Sequence, residues 1–192
     1  MIEIPGDALV LLVGASGSGK STLAARLFPA GSVLSSDALR DKVSGDPANQ
    51  VASARAFQIL HAQAARRLAA GQLCVVDATN ISAASRRPLH ALGATHGRPV
   101  IALVLDLPAD LCLARNAARI GRTVPEAVIQ RQLVSLRQTL DEGRLGAEPF
   151  RQIVVLTDSA AIDRTTVGLT DPARAATLSP AALPRRTRRP KP

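Results

Sequence analysis

A three-layer α/β fold around a parallel sheet of about five strands is predicted by three features of this 192-residue chain. Short apolar runs bounded by Gly, Pro or Ser alternate with longer amphipathic stretches, the pattern of β–α units wound around a parallel sheet. Apolar residues are 46 % and charged residues 20 % of the sequence, enough to build a buried core. The length suits one domain with a tail rather than two cores.

In chain order, the predicted strands are 8–13, 32–34, 73–76, 100–105 and 152–156, each short and rich in Val, Leu or Ile. Helices are predicted between them. Residues 20–28 follow a Gly/Ser turn, and 48–70 carries Val51, Ala54, Phe57, Leu60, Ala64 and Leu68 at helical spacing before Gly71. Thr123 and Glu126 form a T-x-x-E capping box with Pro125 in the first turn, and Ile129, Leu133, Leu136 and Leu140 extend an apolar face toward Gly143, so a helix is predicted over 124–141. After about Asp158 the periodicity fades into Ala, Thr, Pro and Arg. Residues 1–157 are therefore expected to be the folded domain, and 158–192 a poorly structured basic tail.

No apolar run near the N-terminus approaches the roughly 20 residues that span a bilayer, and Glu3 and Asp7 stand where a signal peptide would be basic. A cytoplasmic protein with no membrane partner is the expectation. Cys74 and Cys112 lie in no CxxC or Cys/His cluster, which argues for reduced core thiols. The formal charge is +9, and five of the cations (Arg185, Arg186, Arg188, Arg189, Lys191) fall in the last eight residues. That field favours phosphate-rich partners. With three Phe, no Tyr and no Trp, base-stacking platforms of the RRM or OB type are excluded.

The segment Gly14–Ser21, GASGSGKS, fits G-x-x-x-x-G-K-[ST] directly after a predicted strand and before a predicted helix. This context makes the fold a P-loop NTPase fold. Backbone amides of Gly14, Ala15, Ser16, Gly17, Ser18 and Gly19 would wrap nucleotide phosphates, Lys20 would bring charge, Ser21 a hydroxyl for Mg²⁺, and Thr22 continues the site. A Gly/Ser turn that binds nothing would not need all of these at once.

The second strand runs into LSSD, ending at Asp37, 17 positions after Lys20. In a parallel sheet that end lies beside the phosphate site, where a carboxylate can take the proton of an attacking hydroxyl. The alternative is that Ser35, Ser36 or Asp37 merely caps the next helix. Arg40 could orient Asp37 or hold an acceptor phosphate. CVVD closes the third strand on Asp77, a Walker B-like acid suited to Mg²⁺ or to bonding Ser21, with a strand-end turn as its alternative. Arg115, Arg119 and Arg122 follow the fourth strand at spacings of four and three. On one helical stripe they would suit an Arg-bearing lid over phosphates, or else a solvated surface.

GASGSGKST, LSSD with Arg40, VVDATN, LARN and VPEAVI together resemble the kinase module of bacterial polynucleotide kinase-phosphatases, over roughly residues 8–156. The resemblance implies an ATP- and Mg²⁺-dependent kinase acting on the 5′-hydroxyl ends of DNA or RNA, in end healing or repair. Lys20, Ser21, Asp37, Arg40 and Arg115 fall on that family's functional positions. Relatives often carry phosphatase and ligase modules in the same chain, and nothing of that size stands in this sequence, so the expectation is either separate partners for end healing or a changed substrate. Two other readings stay open: a small-molecule kinase or antibiotic phosphotransferase, and a nucleotide-dependent toxin-like or binding module.

Overall fold

The computed structural model describes residues 1–44, 50–119 and 123–175. The chain runs β1 (Ile2–Pro5), β2 (Leu9–Gly14), α1 (Lys20–Leu27), β3 (Val33–Ser35), α2 (Ser36–Ser44), α3 (Gln50–Ala69), β4 (Cys74–Asp77), α4 (Ala83–Thr95), β5 (Val100–Leu105), α5 (Ala109–Ala117), α6 (Glu126–Asp141), β6 (Gln152–Leu156), α7 (Ser159–Arg164), β7 (Val167–Thr170) and α8 (Pro172–Ala175). A five-stranded sheet has the order β3-β4-β2-β5-β6 and every pairing in it is parallel. All five predicted strands are found, within a residue at each end.

β2 sits at the centre because it can be buried on both faces. Leu9, Leu11 and Val13 pack on one side with Leu60, Ala64 and Leu68 of α3, Leu89 of α4 and Leu136 of α6. Val10 and Leu12 pack on the other with Ala24 and Phe28 from α1 and its end. Alternation along the strand thus feeds two helical layers, which is why a continuous apolar run reads as a parallel-sheet strand. A third cluster joins Leu23, Leu105, Cys112, Ile129 and Ile162 near the C-terminal ends of β2 and β5. From β2 the chain crosses to β3 on one side, and from β4 it crosses back to β5 on the other. The order of connection therefore reverses beside β2, and a crevice opens at the carboxyl ends of the strands there.

Three expectations need correction. Residues 158–175 are not poorly structured: α7 is capped by Asp158, whose side chain accepts the Ala161 N–H, and β7 pairs in parallel with β1 as a second, two-stranded sheet. β1 gave no sequence signal because Ile2 and Ile4 make a strand only by pairing across more than 160 residues. Thr123 does not cap α6. The cap position is Pro125, no side chain caps it, and the Val124 N–H and carbonyl are both taken by the Asn116 side-chain amide. In α3, Ala54 faces outward and Ala56 is buried, one turn from Leu60. Arg122 and residues 176–192, including the basic run from Arg185 to Lys191, lie outside the described residues.

Candidate active site

The P-loop occupies the crevice. β2 ends at Gly14 and α1 begins at Lys20, so the intervening turn lies at the helix N-terminus; of the amides expected to wrap phosphates, however, Gly14 donates to the Thr79 carbonyl, Ser16 to Gln132 and Ser18 to the Ala15 carbonyl. Gly17 and Gly19 have φ of 79° and 91°, the left-handed region that side chains disfavour. Gly17 is doubly constrained, since a Cβ there would stand 2.1 Å from the Cys112 carbonyl oxygen on α5. The loop is thereby clamped between its own strand and α5. Ala15 and Ser18 are buried, Ser16 and Gly17 half-buried, and Thr22 is exposed on the first turn of α1.

Lys20 is only 8 % exposed. Its Nζ donates to the Ala15 carbonyl at 2.8 Å and to Ser18 Oγ at 3.4 Å. Burial pulls its pKa down to about 8, against the opposing charges of Asp77 and Asp37. Its ammonium is thus held with neutral partners and is short of compensation. Ser21 Oγ donates to Asp77 Oδ2 at 2.7 Å, joining α1 to the end of β4. Burial raises the Asp77 carboxyl above its usual range, with the Ser21 hydrogen bond and the Lys20 charge pulling the other way.

Asp37 lies in the first turn of α2, at the carboxyl end of β3. It pairs with Arg40, three residues on, and Arg119 stands 3.6 Å from its other oxygen. Arg119 follows α5 and so reaches across the crevice. Arg115, on α5, donates to Ser159 Oγ at 3.2 Å, and its Nη1 is 3.4 Å from where a Cβ on Gly19 would be. The structure therefore gathers Lys20, Ser21, Asp77, Asp37, Arg40, Arg115 and Arg119 at one end of the sheet. Of the three residues that could cap α2, it is Ser35 whose Oγ meets the Ala38 N–H, and Asp37 instead pairs with Arg40 and Arg119.

Among the described residues no group of three or more His, Cys, Asp or Glu side chains could cage a metal. The hard oxygens of Ser21 and Asp77 at the P-loop nevertheless fit Mg²⁺, which binds through one or two protein oxygens, with phosphates and water completing its shell.

Two residues at the site gave no motif. Gln132 on α6 accepts the Ser16 N–H at Oε1, 2.8 Å, across 116 residues of chain. Asp106, buried just after β5, meets Arg137 of α6 at 3.2 Å. A Gln inside an amphipathic helix carries no sequence signature, although its place between Ile129 and Leu136 on the apolar side of α6 was a hint.

Residues 9–140 match the family model AAA_33, described as an AAA domain. No curated protein matches the chain. A chain of the Pnkp1/Rnl/Hen1 RNA repair complex is similar at 23 % identity and a TM-score of 0.61, over 74 % of this chain and 47 % of that one. This chain thus spans about half the length of that neighbour. A sugar kinase from a Janibacter species is similar at 22 % identity and a TM-score of 0.52, over 88 % of this chain and 89 % of that one. Kti12 of Chaetomium thermophilum, in complex with ADP-AlF3, is similar at 16 % identity and a TM-score of 0.59, over 81 % and 94 %. At these identities the likeness establishes a P-loop kinase fold and leaves the acceptor open.

Proposed function

The chain belongs to the AAA_33 family, and on that premise we propose that it transfers the γ-phosphate of ATP to the 5′-hydroxyl of DNA or RNA. The observation that supports phosphotransfer in this reading is Asp37 at the same end of the sheet as Lys20, with Arg119 at 3.6 Å, while Arg40 beside Asp37 and the formal charge of +9 favour a polyanionic acceptor. Hydrolysis and nucleotide switching need no protein carboxylate there, whereas transfer to an alcohol needs a base.

In this reading the P-loop amides and Lys20 bind the β- and γ-phosphates. Ser21 and Asp77 would hold Mg²⁺, which when bound neutralises charge on the phosphates. Asp37 takes the proton of the acceptor hydroxyl as its oxygen bonds to the γ-phosphorus. The bond from that phosphorus to the bridging oxygen breaks, and ADP leaves. Arg40 orients Asp37, while Arg115 and Arg119 draw charge from the transferring group. The reaction would take place in the cytosol, with phosphatase or ligase partners acting on the same nucleic-acid ends.

A small alcohol is the second reading, favoured by the sugar kinase whose length this chain nearly matches. γ-Labelled ATP offered with 5′-OH DNA, 5′-OH RNA and a panel of sugars separates the two. Label on either oligonucleotide, lost in Asp37→Asn, supports the proposal. Label on a sugar alone would move the function to the second reading, and nucleotide binding without transfer to any acceptor would favour a binding module.

A further inference from the structure

Lys20 and Gln132 hold opposite ends of one peptide group. The Ala15 carbonyl accepts from Lys20 Nζ at 2.8 Å, and the N–H of the same peptide, on Ser16, donates to Gln132 Oε1 at 2.8 Å. A trans peptide points these two groups in opposite directions, so fixing the N–H fixes the direction of the carbonyl. Within the loop the Ala15 carbonyl also accepts the Ser18 N–H at 3.2 Å, so the carbonyl end of this peptide is held from inside, and Gln132 is the partner that holds its N–H end from outside.

Gln132 is itself well anchored. Ile129 and Leu136 on either side of it in α6 are buried. Arg137 ties the same helix to Asp106 at the end of β5, and the Asn116 amide binds both backbone groups of Val124 ahead of it. The acceptor offered to Ser16 therefore comes from a rigid element that is remote in sequence.

Resting on the ATP-dependent reading above, we propose that Gln132 is a positioning residue. It orients the Ala15–Ser16 peptide so that the Lys20 ammonium waits where the terminal phosphates arrive. The side chain acts through Lys20 and the loop backbone.

The test is a double-mutant cycle on MgATP binding, followed by calorimetry without any acceptor. Gln132→Met keeps the length of the side chain and removes the oxygen. It should weaken MgATP binding by on the order of tenfold, as the loss of one hydrogen bond that positions a charge. In a Lys20→Met background, titrated with MgATP at concentrations high enough to reach its weaker affinity, the same change should have little further effect, because the group being positioned is gone. Melting of the nucleotide-free protein should stay near wild type. If Gln132→Met destabilises the protein, Gln132→Asn, which keeps the amide but loses reach, is read in its place with the same expectation. MgATP affinity unchanged by either variant, or an equal loss with and without Lys20, would overturn the inference. Failure of the wild-type protein to bind MgATP would instead overturn the ATP-dependent reading, and transfer to an unexpected acceptor would leave this inference standing.

Discussion

Two buried cations in this molecule are compensated in opposite ways. Arg86, on α4, is 1 % exposed and donates to the Asn80 and Ile81 carbonyls at 2.8 and 2.5 Å. Its remaining nitrogens form a two-point pair with Glu148, which His90 also meets at 3.1 Å while resting edge-on against Phe150. Lys20 is nearly as buried, yet its close partners are a carbonyl and a hydroxyl. One cation is bonded directly to a full anion, and the other has only neutral hydrogen-bond partners, with the carboxylates of Asp77 and Asp37 acting on it through space. Burial of charge is therefore no mark of function by itself. Incomplete compensation in a crevice at the carboxyl ends of the strands is a better one, because a phosphate can supply what is missing.

Removing either cation should expose this difference. Arg86→Met leaves the half-buried Glu148 without its main partner and cuts the β4–α4 turn loose from the segment before β6. We expect a stability loss of about 3–5 kcal/mol in chemical denaturation. Adding Glu148→Leu should recover much of it. If Arg86→Met were silent in stability and damaged transfer instead, the two cations would not differ as described.

Lys20→Met should do the reverse. Single-turnover transfer should fall by on the order of 10²-fold or more, since a charge is lost from the phosphates. Stability of the empty protein should hold. Asp37→Asn should likewise end transfer while leaving MgATP affinity near wild type, a pairing that calorimetry and label transfer check together.

A smaller effect is expected from the arginines. Arg115→Ala should lower the maximal rate by roughly tenfold with less change in MgATP affinity, as for a contact that strengthens in the transition state. Arg119→Ala should cost less, because Arg119 is already paired with Asp37 at 3.6 Å and lies past the end of α5. Equal, additive losses at both would point to a generic basic surface.

The smallest effect concerns acid. Burial holds the His90 imidazole below its ordinary value of 6.5 despite the Glu148 hydrogen bond. Burial alone would raise the Glu148 carboxyl, but Arg86 holds it below its ordinary 4.5. Each group binds fewer protons folded than unfolded in its window, so stability is lost as pH falls, first below 6.5 for His90 and then below 4.5 for Glu148. His90→Gln should flatten the upper part of that loss. Denaturation curves at pH 7 and pH 5.5 check it, and identical slopes would remove His90 from the account.

The comparison also explains what could be read in advance. Lys20, Ser21, Asp37 and Asp77 lie in short motifs whose spacing follows from strand–loop–helix geometry, so the sequence exposes them. The five central strands are apolar runs and need no partner to be recognised. Arg86 and Glu148 stand 62 positions apart, and Gln132 reaches Ser16 across 116, so those contacts exist only once the sheet has formed. β1 and β7 were invisible for the same reason, each being four residues that pair across the length of the domain. Thr123 failed as a cap because Asn116, seven residues before it, had already taken the neighbouring backbone groups. Local pattern reveals what is locally determined.

The most direct test of incomplete compensation at Lys20 is thermal melting of the wild-type protein and Lys20→Met, each with and without saturating MgATP. Wild type should be stabilised by MgATP, by about 2.7 kcal/mol at a hundredfold excess over its Kd. Lys20→Met should melt at or above the empty wild type, having lost a buried ammonium, and should gain little from MgATP. A variant that melts well below the empty wild type, or that keeps the full nucleotide shift, would mean that Lys20 is a structural cation like Arg86.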